Sequence, residues 1–192
     1  MVVRRVGASR GFTLIEMMVV VVIVGILATL AVVGYRKLVQ ASHISEAQQM
    51  VQDIRAAQES YHSETQQYAD ISTSLTAYYP NATPNGRQVY TWGAQCVGAC
   101  TSGMDWSLLP LHVDGPVLFG YATVAGAANT NPTSVGAPAS VQVNGQTLTF
   151  PAPSPVDWFI VAAGCDLNND GTVGTFAYTT SWANQVYVDN EE

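Results

Sequence analysis

The sequence predicts an α+β protein in which one long N-terminal α-helix packs against an antiparallel β-sheet. Residues 17–35 carry no charge, and apolar residues then recur at steps of three or four as far as Tyr61. The first proline is Pro80, so a single helix can run from about residue 12 to about residue 63. Short alternating runs separated by turn residues follow, and such runs are typical of antiparallel strands.

Residues 12–35, the first half of the predicted helix, are apolar enough to cross a membrane. About 20 apolar residues span the ~30 Å hydrocarbon core of a bilayer. Arg4, Arg5 and Arg10 precede the segment, which indicates a cytoplasmic N-terminus by the positive-inside rule. Glu16 is the one acidic residue within the segment. Because a carboxylate inside hydrocarbon is costly, Glu16 requires a partner.

Residues 36–63 form the amphipathic second half of the helix, and residues 64–192 form a globular β-sheet head. The apolar line of the helix consists of Ala41, Ile44, Ala47, Val51, Ile54, Gln58 and Tyr61. Such a line has to be buried against another element, and the sheet of the head supplies it. The candidate strands of the head are residues 89–92, 117–124, 141–143, 146–150, 158–162, 175–179 and 185–188.

The connections of the head carry turn signals. Asn144 and Gly145 separate two alternating runs, and Asn-Gly is the strongest signal for a hairpin with a two-residue type I′ turn. Residues 126–138 are rich in Gly, Ala, Asn and Pro, and we expect them to form an exposed loop. We expect the four tryptophans to cover the sheet and fill the core rather than to bind a ligand. They are Trp92, Trp106, Trp158 and Trp182.

The charges and histidines exclude several classes of function. All seven Lys and Arg residues lie at or before Arg87, whereas eight of the fourteen acidic residues lie from Asp105 onward. Phosphate contacts need Lys and Arg, so we expect no nucleic acid bound through a basic patch. The histidines are isolated and there is no H-E-x-x-H motif, so the sequence predicts a protein that is not an enzyme. They are His43, His62 and His112.

Three cysteines, Cys96, Cys100 and Cys165, lie in the head. In an exported protein a disulfide is the expected state, and the C-x-x-x-C spacing is a poor match to zinc sites. Cys96 with Cys100 is the local pairing, and either of them with Cys165 is the long-range one. The sequence leaves both pairings open.

The segment DLNNDGT is the one candidate metal site. Asp166, Asn168 and Asp170 alternate ahead of Gly171, as in the first half of a calcium loop. Ala177 stands where an EF-hand has its bidentate Glu, so Ca²⁺ would need a further ligand, such as Asp189 or the backbone carbonyl of Thr172. The alternative is an Asx-rich turn between two strands. No other cofactor is expected.

The residues RGFTLIE at positions 10–16 resemble the N-terminal signature of type IV prepilins. A short basic leader ends in Gly11, the aromatic Phe12 follows, and Glu16 is the fifth residue after Gly11. The resemblance implies a pilin fold, a leader at residues 1–11, cleavage after Gly11 by a prepilin peptidase and N-methylation of Phe12. Many type IV pilins also have a proline about twenty residues into the mature chain, where this sequence has Val33 and Gly34.

The same resemblance implies a structural subunit of a type IV pilus. The precursor would lie in the inner membrane with its head in the periplasm. An inner-membrane assembly platform would add it to an extracellular filament of identical subunits, in which Glu16 pairs with a neighbour's new N-terminal amine. The family uses such filaments for motility, adhesion or DNA uptake. Two alternatives stay open: a pseudopilin of a type II secretion system, and a signal-anchored periplasmic enzyme or binding module.

Overall fold

The computed structural model describes residues 11–93, 104–143 and 145–189. The chain divides into two units, Met1–Ala41 and Ser42–Glu192. One α-helix, α1, spans Leu14–Thr65, and eight β-strands follow it within the described residues. The predicted class, a long N-terminal helix followed by antiparallel sheets, is confirmed.

Helix α1 begins and ends about two residues later than the sequence predicts. The first helical hydrogen bond runs from Met17 N to Thr13 O over 3.3 Å, which makes Thr13 the N-cap residue. At the other end Gln66 has φ 61°, a left-handed conformation that commonly terminates helices. Gln66 N still donates to His62 O over 2.8 Å, so the last turn is closed before the chain leaves the helix.

Within the first unit, residues 14–35 of the helix are exposed and, apart from Glu16, uncharged. Val21 is 70% exposed and Leu30 is 67% exposed. By length and composition the helix can cross a membrane. It stays α-helical through Gly25 and Gly34, where an added Cβ would meet nothing within 4 Å. So much contiguous apolar surface is unusual in water and marks a segment that lies in a membrane or against other proteins.

The second unit contains three antiparallel sheets within its described residues. The strands are β1 (Tyr90–Thr91), β2 (Pro116–Val117), β3 (Gly120–Gly126), β4 (Ser140–Val143), β5 (Gln146–Thr149), β6 (Trp158–Cys165), β7 (Gly174–Thr180) and β8 (Ala183–Val188). The largest sheet has four strands in the order β3-β6-β7-β8. β1 pairs with β2, and β4 pairs with β5.

The stretch at residues 117–124, predicted as one strand, forms parts of two strands. The backbone bends at Leu118 and Phe119, between β2 and β3. Leu118 N donates to Glu46 Oε1 over 2.8 Å, so a helix side chain takes up the donor at the bend. β2 and β3 therefore belong to different sheets.

The β4–β5 hairpin is confirmed. Val143 pairs with Gln146 in the antiparallel register that a two-residue connection requires. Gly145 has φ 72°, as the second central residue of a type I′ turn needs. Asn144 lies outside the described residues.

The amphipathic half of α1 packs against one face of the four-stranded sheet. Val51 and Ile54 are fully buried and belong to one cluster with Tyr121, Phe159 and Val161 of β3 and β6. Alternate residues of a strand point to opposite faces, so these odd-numbered positions define the helix-facing side. The apolar line predicted for residues 44–58 is therefore buried as expected, whereas Ala41 is exposed.

The opposite face of the sheet is also buried. Val124, Ile160 and Tyr178 form a second cluster with Val141 and Val143 of the hairpin. All eight residues of β6 are buried as a result. The tryptophans divide between the two clusters as core and cover, as predicted.

The expectation of an exposed loop at residues 126–138 is wrong in part. Pro132–Val135 forms a 3-10 helix, and Pro132 and Ala137 are buried. The reason is that this segment helps to cover the second face of the sheet, which the sequence analysis left uncovered.

Candidate processing and assembly site

Gly11, Phe12 and Thr13 precede α1 in non-helical conformation. All three residues are exposed, and Phe12 is 80% exposed. A Cβ added at Gly11 would meet nothing within 4 Å. The peptide bond between Gly11 and Phe12 therefore lies outside the helix, where an enzyme can reach it.

Thr13 and Glu16 form a capping box at the start of α1. Glu16 N donates to Thr13 Oγ1 over 3.3 Å. In return, Thr13 N donates to Glu16 Oε2 over 2.8 Å, and the Thr13 hydroxyl donates to the same oxygen over 2.7 Å. These reciprocal bonds satisfy donors that a helix start leaves unpaired.

The capping box gives Glu16 an intramolecular partner that the sequence analysis missed. The signal is present in the residues FTLIE, because Thr followed three positions later by Glu is the capping-box pattern. The other carboxylate oxygen, Oε1, accepts no hydrogen bond from the described residues. Gly11, Phe12 and Glu16, the three predicted processing and assembly residues, thus lie within six positions at the exposed start of one helix.

The candidate calcium loop is closed by its own hydrogen bonds. Asp166 Oδ1 accepts from Asp170 N over 3.1 Å, and Asp166 Oδ2 accepts from Gly171 N over 2.9 Å. Asn168 Oδ1 also accepts from Asp170 N, over 3.1 Å. Asn169 and Gly171 have positive φ values of 61° and 90°, a conformation that Asn and Gly adopt readily in turns.

Asp170 is held by further hydrogen bonds within the same turn. Thr172 N donates to Asp170 Oδ1 over 2.7 Å, and Asn168 Nδ2 donates to Asp170 Oδ2 over 3.0 Å. The Thr172 backbone N–H and then the Asn168 amide hold the pKa of Asp170 below its usual value. Within the described ranges no three His, Cys, Asp or Glu residues gather as a metal site. This geometry fits the Asx-turn alternative, and calcium binding through this loop or Asp189 stays a prediction.

Cys165 is a buried free thiol at the end of β6. Its S–H donates to Leu118 O over 3.9 Å. Burial raises the pKa of the thiol to about 12, since the thiolate form would lose its hydration. Cys96 and Cys100 lie outside the described residues, so both disulfide pairings stay predictions.

Two of the three histidines have acidic neighbours. His62 Nε2 lies 3.7 Å from Asp157 Oδ2, and the His62 ring stacks on Tyr68 at 4.3 Å between centroids. His112 Nε2 lies 3.0 Å from Asp114 Oδ1 on an exposed loop. The His62 contact joins the C-terminal turn of α1 to the segment before β6, so a structural role accounts for this histidine.

An exposed prepilin-type N-terminus on an apolar helix, followed by an α+β head, defines the class of prepilin-like proteins. Residues 7–32 match the family described as the prokaryotic N-terminal methylation motif. The chain therefore carries this motif, with Gly11, Phe12 and Glu16 inside the matched range.

Curated relatives place the chain among proteins similar to type IV pilins. It is 42% identical over 67 residues to the type IV major pilin protein PilA of Myxococcus xanthus (strain DK1622), a match covering 35% of this chain and 30% of that protein. It is 38% identical over 82 residues to the fimbrial protein EcpC of Eikenella corrodens, covering 42% of this chain and 51% of that protein. It is 32% identical over 81 residues to the type IV major pilin protein PilE1 of Neisseria gonorrhoeae, covering 42% and 49%.

These matches cover about half, or less, of the length of each relative. They support similarity to pilins, and they leave the activity and partners of the whole protein to be proposed. No solved structure shows a significant match to the chain.

Proposed function

We propose that this protein is a structural, non-catalytic subunit of a type IV pilus. A prepilin peptidase hydrolyses the Gly11–Phe12 bond, which leaves a carboxylate on Gly11 and a new amine on Phe12, and the amine is then methylated. The observation that carries the proposal is the methylation motif at residues 7–32, placed at the exposed start of an apolar helix. The similarity to proteins named type IV major pilins supports the same assignment.

The apolar helix explains both storage and assembly. In the precursor, residues 12–35 lie in the inner membrane, and Arg4, Arg5 and Arg10 keep the N-terminus in the cytoplasm while the head lies in the periplasm. An assembly platform in the same membrane then moves the helix from lipid into a bundle of identical helices. The apolar surface stays out of water in both states, so the transfer needs no exposure of that surface.

Glu16 would set the axial position of each new subunit. An unpaired charge in hydrocarbon is strongly disfavoured, whereas a hydrogen-bonded ion pair is tolerated. The amine that cleavage creates on Phe12 of a neighbouring subunit is the available cation. Pairing it with Glu16 fixes how far one helix is shifted along the next. The extracellular filament serves motility, adhesion or DNA uptake, as the family resemblance implies.

N-terminal sequencing and electron microscopy test this proposal. We expect the mature chain to begin at methylated Phe12, and surface fibres to disappear on deletion of the gene. Gly11→Val should block cleavage. The added side chain has free space, so a block reports on peptidase recognition rather than on folding. Gly25→Ala is the control, since that site is equally open and alanine favours the helix.

Glu16→Ala should leave cleavage and membrane storage intact and should impair fibre formation. Normal fibre yield from this variant would refute the pairing argument. A mature chain that still begins at Met1 would indicate an uncleaved anchor. Lost protein secretion with intact pili would assign the subunit to a type II secretion system instead.

A further inference from the structure

β8 forms an open edge of the four-stranded sheet, whereas the opposite edge, β3, is closed. Tyr121 N donates to Tyr79 O over 2.7 Å, and Tyr79 N donates to Tyr121 O over 2.9 Å. Thr123 N donates to Ser72 Oγ over 3.1 Å, and Ser72 N donates to Thr123 O over 2.8 Å. β8 pairs with β7 on one side, and no strand of the described residues pairs with its other side. The outward backbone groups of β8 therefore face no strand in this part of the chain, and such an edge can pair with another chain.

The sequence of β8 lacks the residues that usually keep edge strands apart. It reads ANQVYV, with no charged residue and no proline, whereas natural edge strands are commonly protected by one or the other. The register shift near Thr180 affects only the start of β8, and residues 186–188 pair regularly with β7. Beyond residue 41 the sequence is anionic and has only two Lys or Arg residues, Arg55 and Arg87. An uncharged edge in such a head can meet a copy of itself without placing like charges opposite each other.

Arg55 lies beside the start of β8 and forms no ion pair with a carboxylate of the described residues. Nη1 donates to Ala183 O and Nη2 donates to Asn184 Oδ1, each over 2.8 Å. These bonds hold the guanidinium in a groove of about 280 Å³ between α1 and β8. Glu59 also lines the groove, but its Oε2 accepts the Tyr68 hydroxyl over 3.3 Å. A guanidinium has five N–H donors, so donors remain for a carboxylate from outside the head.

We propose that β8 is a self-pairing edge, through which the β8 strands of two copies of this chain pair antiparallel and join their sheets. In an antiparallel pair, the end of each strand lies beside the start of the other. Asp189 follows β8 directly, and Glu191 and Glu192 come next in the sequence. The acidic end of one β8 is therefore brought to Arg55 at the start of the other. A two-fold axis between the copies makes this contact twice.

The pairing joins subunits of different fibres rather than neighbours within one fibre. The two-fold axis reverses the direction of residues 42–65 of α1 from one head to the other. Subunits stored in one membrane all point the same way, because the basic residues before the apolar segment hold each N-terminus on the same side. Two fibres that lie side by side in opposite directions satisfy the reversal. This consequence rests on the proposed function, whereas the pairing of two heads does not.

The test uses the detergent-solubilised full chain at pH 7 and about 0.15 M salt, where a Debye length of ~8 Å screens the repulsion between whole heads. Sedimentation velocity measures dimerisation, and amide hydrogen exchange locates the strands that pair. We expect the amides of β8 to become protected as the dimer forms. The amides of β3 should keep the same exchange rates in monomer and dimer, because that edge is already closed.

Charge reversal tests the contact between Arg55 and the acidic end of β8. Arg55→Glu and the double variant Glu191→Lys/Glu192→Lys should each weaken dimerisation roughly tenfold, because like charges then meet at both ends of the pair. An equimolar mixture of the two should restore dimerisation, since every contact again joins opposite charges. The charge-matched control is Asp53→Lys/Glu64→Lys, which reverses two exposed carboxylates of α1. Its lower net charge should leave dimerisation at least as strong as in the wild type.

Arg55→Glu also loses the bonds to Ala183 and Asn184, so thermal unfolding is measured to show that its head is folded. The variant at residues 191 and 192 changes neither α1 nor any described strand. Its comparison with the charge-matched control therefore decides the question even if Arg55→Glu does not fold.

Several results would overturn the pairing and leave the pilus proposal standing. They are a chain that stays monomeric at every concentration, a dimer whose β8 amides exchange freely, and equal dimerisation of the two double variants. A mixture of folded charge-reversed variants that stays monomeric would show that β8 does not pair with another β8. Conversely, a mature chain that begins at Met1 would remove the role between fibres, and a dimer with protected β8 amides would still support the pairing of heads.

Discussion

Gln58 is a polar residue in the middle of the buried face of α1. It is fully buried, and its side-chain amide binds the backbone of Ala69 in both directions. Nε2 donates to Ala69 O over 2.8 Å, and Ala69 N donates to Oε1 over 2.9 Å. Nε2 also donates to Thr123 Oγ1 of β3 over 3.1 Å. One side chain thus ties the helix to a loop and to the sheet, and its burial costs little because its polar atoms are paired.

Gln58→Leu should destabilise the head by about 2 to 4 kcal/mol, because the buried N–H and C=O of Ala69 lose their partners. The free energy of unfolding of the detergent-solubilised chain, measured with urea, checks this. Gln49→Leu is the control, since Gln49 is an exposed residue of the same helix. Equal stability of the two variants would show that the amide of Gln58 does not hold Ala69.

Cys165 should resist alkylation in the folded protein. Its thiol is fully buried, and burial raises the pKa to about 12, so very little thiolate is present near pH 8. Mass spectrometry after iodoacetamide treatment, with and without urea, measures this. We expect modification of Cys165 only in urea. Rapid labelling of the native protein would contradict the burial.

The raised pKa of Cys165 also has a consequence for stability at alkaline pH. The folded protein keeps the thiol protonated, whereas the unfolded chain releases the proton near the ordinary pKa of about 9. The stability that this difference in pKa contributes to the folded state is therefore fully present below about pH 9. It is lost as the pH rises towards about 12. In Cys165→Ala, the free energy of unfolding should fall less between about pH 9 and about pH 12 than it does in the wild type.

At the scale of elements, a comparison of two glycines separates the energetic cost of backbone strain from that of a steric clash. Gly145 and Gly136 have nearly the same positive φ, 72° and 79°. A Cβ at Gly145 would meet nothing within 4 Å, whereas a Cβ at Gly136 would clash with the backbone oxygen of Thr73. The first glycine shapes a free hairpin turn, and the second lies where a loop crosses the backbone of another.

Gly145→Ala should cost about 1 kcal/mol of stability, the strain of a left-handed alanine. Gly136→Ala should cost about 3 kcal/mol or more, because Thr73 and Ser74 must also move. Thermal unfolding of the two variants gives the comparison. A smaller effect at Gly136 than at Gly145 would contradict the close approach to Thr73.

The sequence predicted those elements whose signals are local. The long helix followed from residues 17–61, and the hairpin followed from Gly145 and its neighbour. Thr13 was missed although its capping pattern is local. The bend at Leu118 was not predictable, because its donor is satisfied by Glu46, 72 residues earlier in the chain. The contact of His62 with Asp157 also joins residues that are far apart in the sequence.

At the scale of the whole head, the identity of the segments that cover the second face of the sheet was the feature that the sequence did not indicate. The run at β6, Trp158–Cys165, is continuously apolar or small, which is typical of a strand covered on both sides. The β4–β5 hairpin and the 3-10 helix cover the second face of the sheet. The sequence patterns of these segments indicate only turns. Tertiary packing of such segments depends on their partners more than on their propensities. The candidate site at residues 11–16 was more predictable, since its residues are contiguous.

Charge is the whole-molecule property that bears most directly on the proposed filament. The full chain has a formal net charge of −7 and a pI of about 4.7. The proposed cleavage after Gly11 would remove Arg4, Arg5 and Arg10 and none of the fourteen acidic residues. The mature chain would therefore carry a more negative net charge than the precursor, and like charges on adjacent fibres would repel each other.

Purified fibres should stay dispersed at pH 7 and low salt and should associate side by side as the pH falls towards 4, where carboxylates become protonated. Salt at pH 7 should have the same effect, because about 0.1 M salt reduces the Debye length to ~10 Å. Light scattering and electron microscopy follow the association. The two treatments act by different routes, protonation and screening, so agreement between them identifies charge repulsion as the cause. Fibres that associate equally at every pH and salt concentration would instead point to apolar contacts between heads.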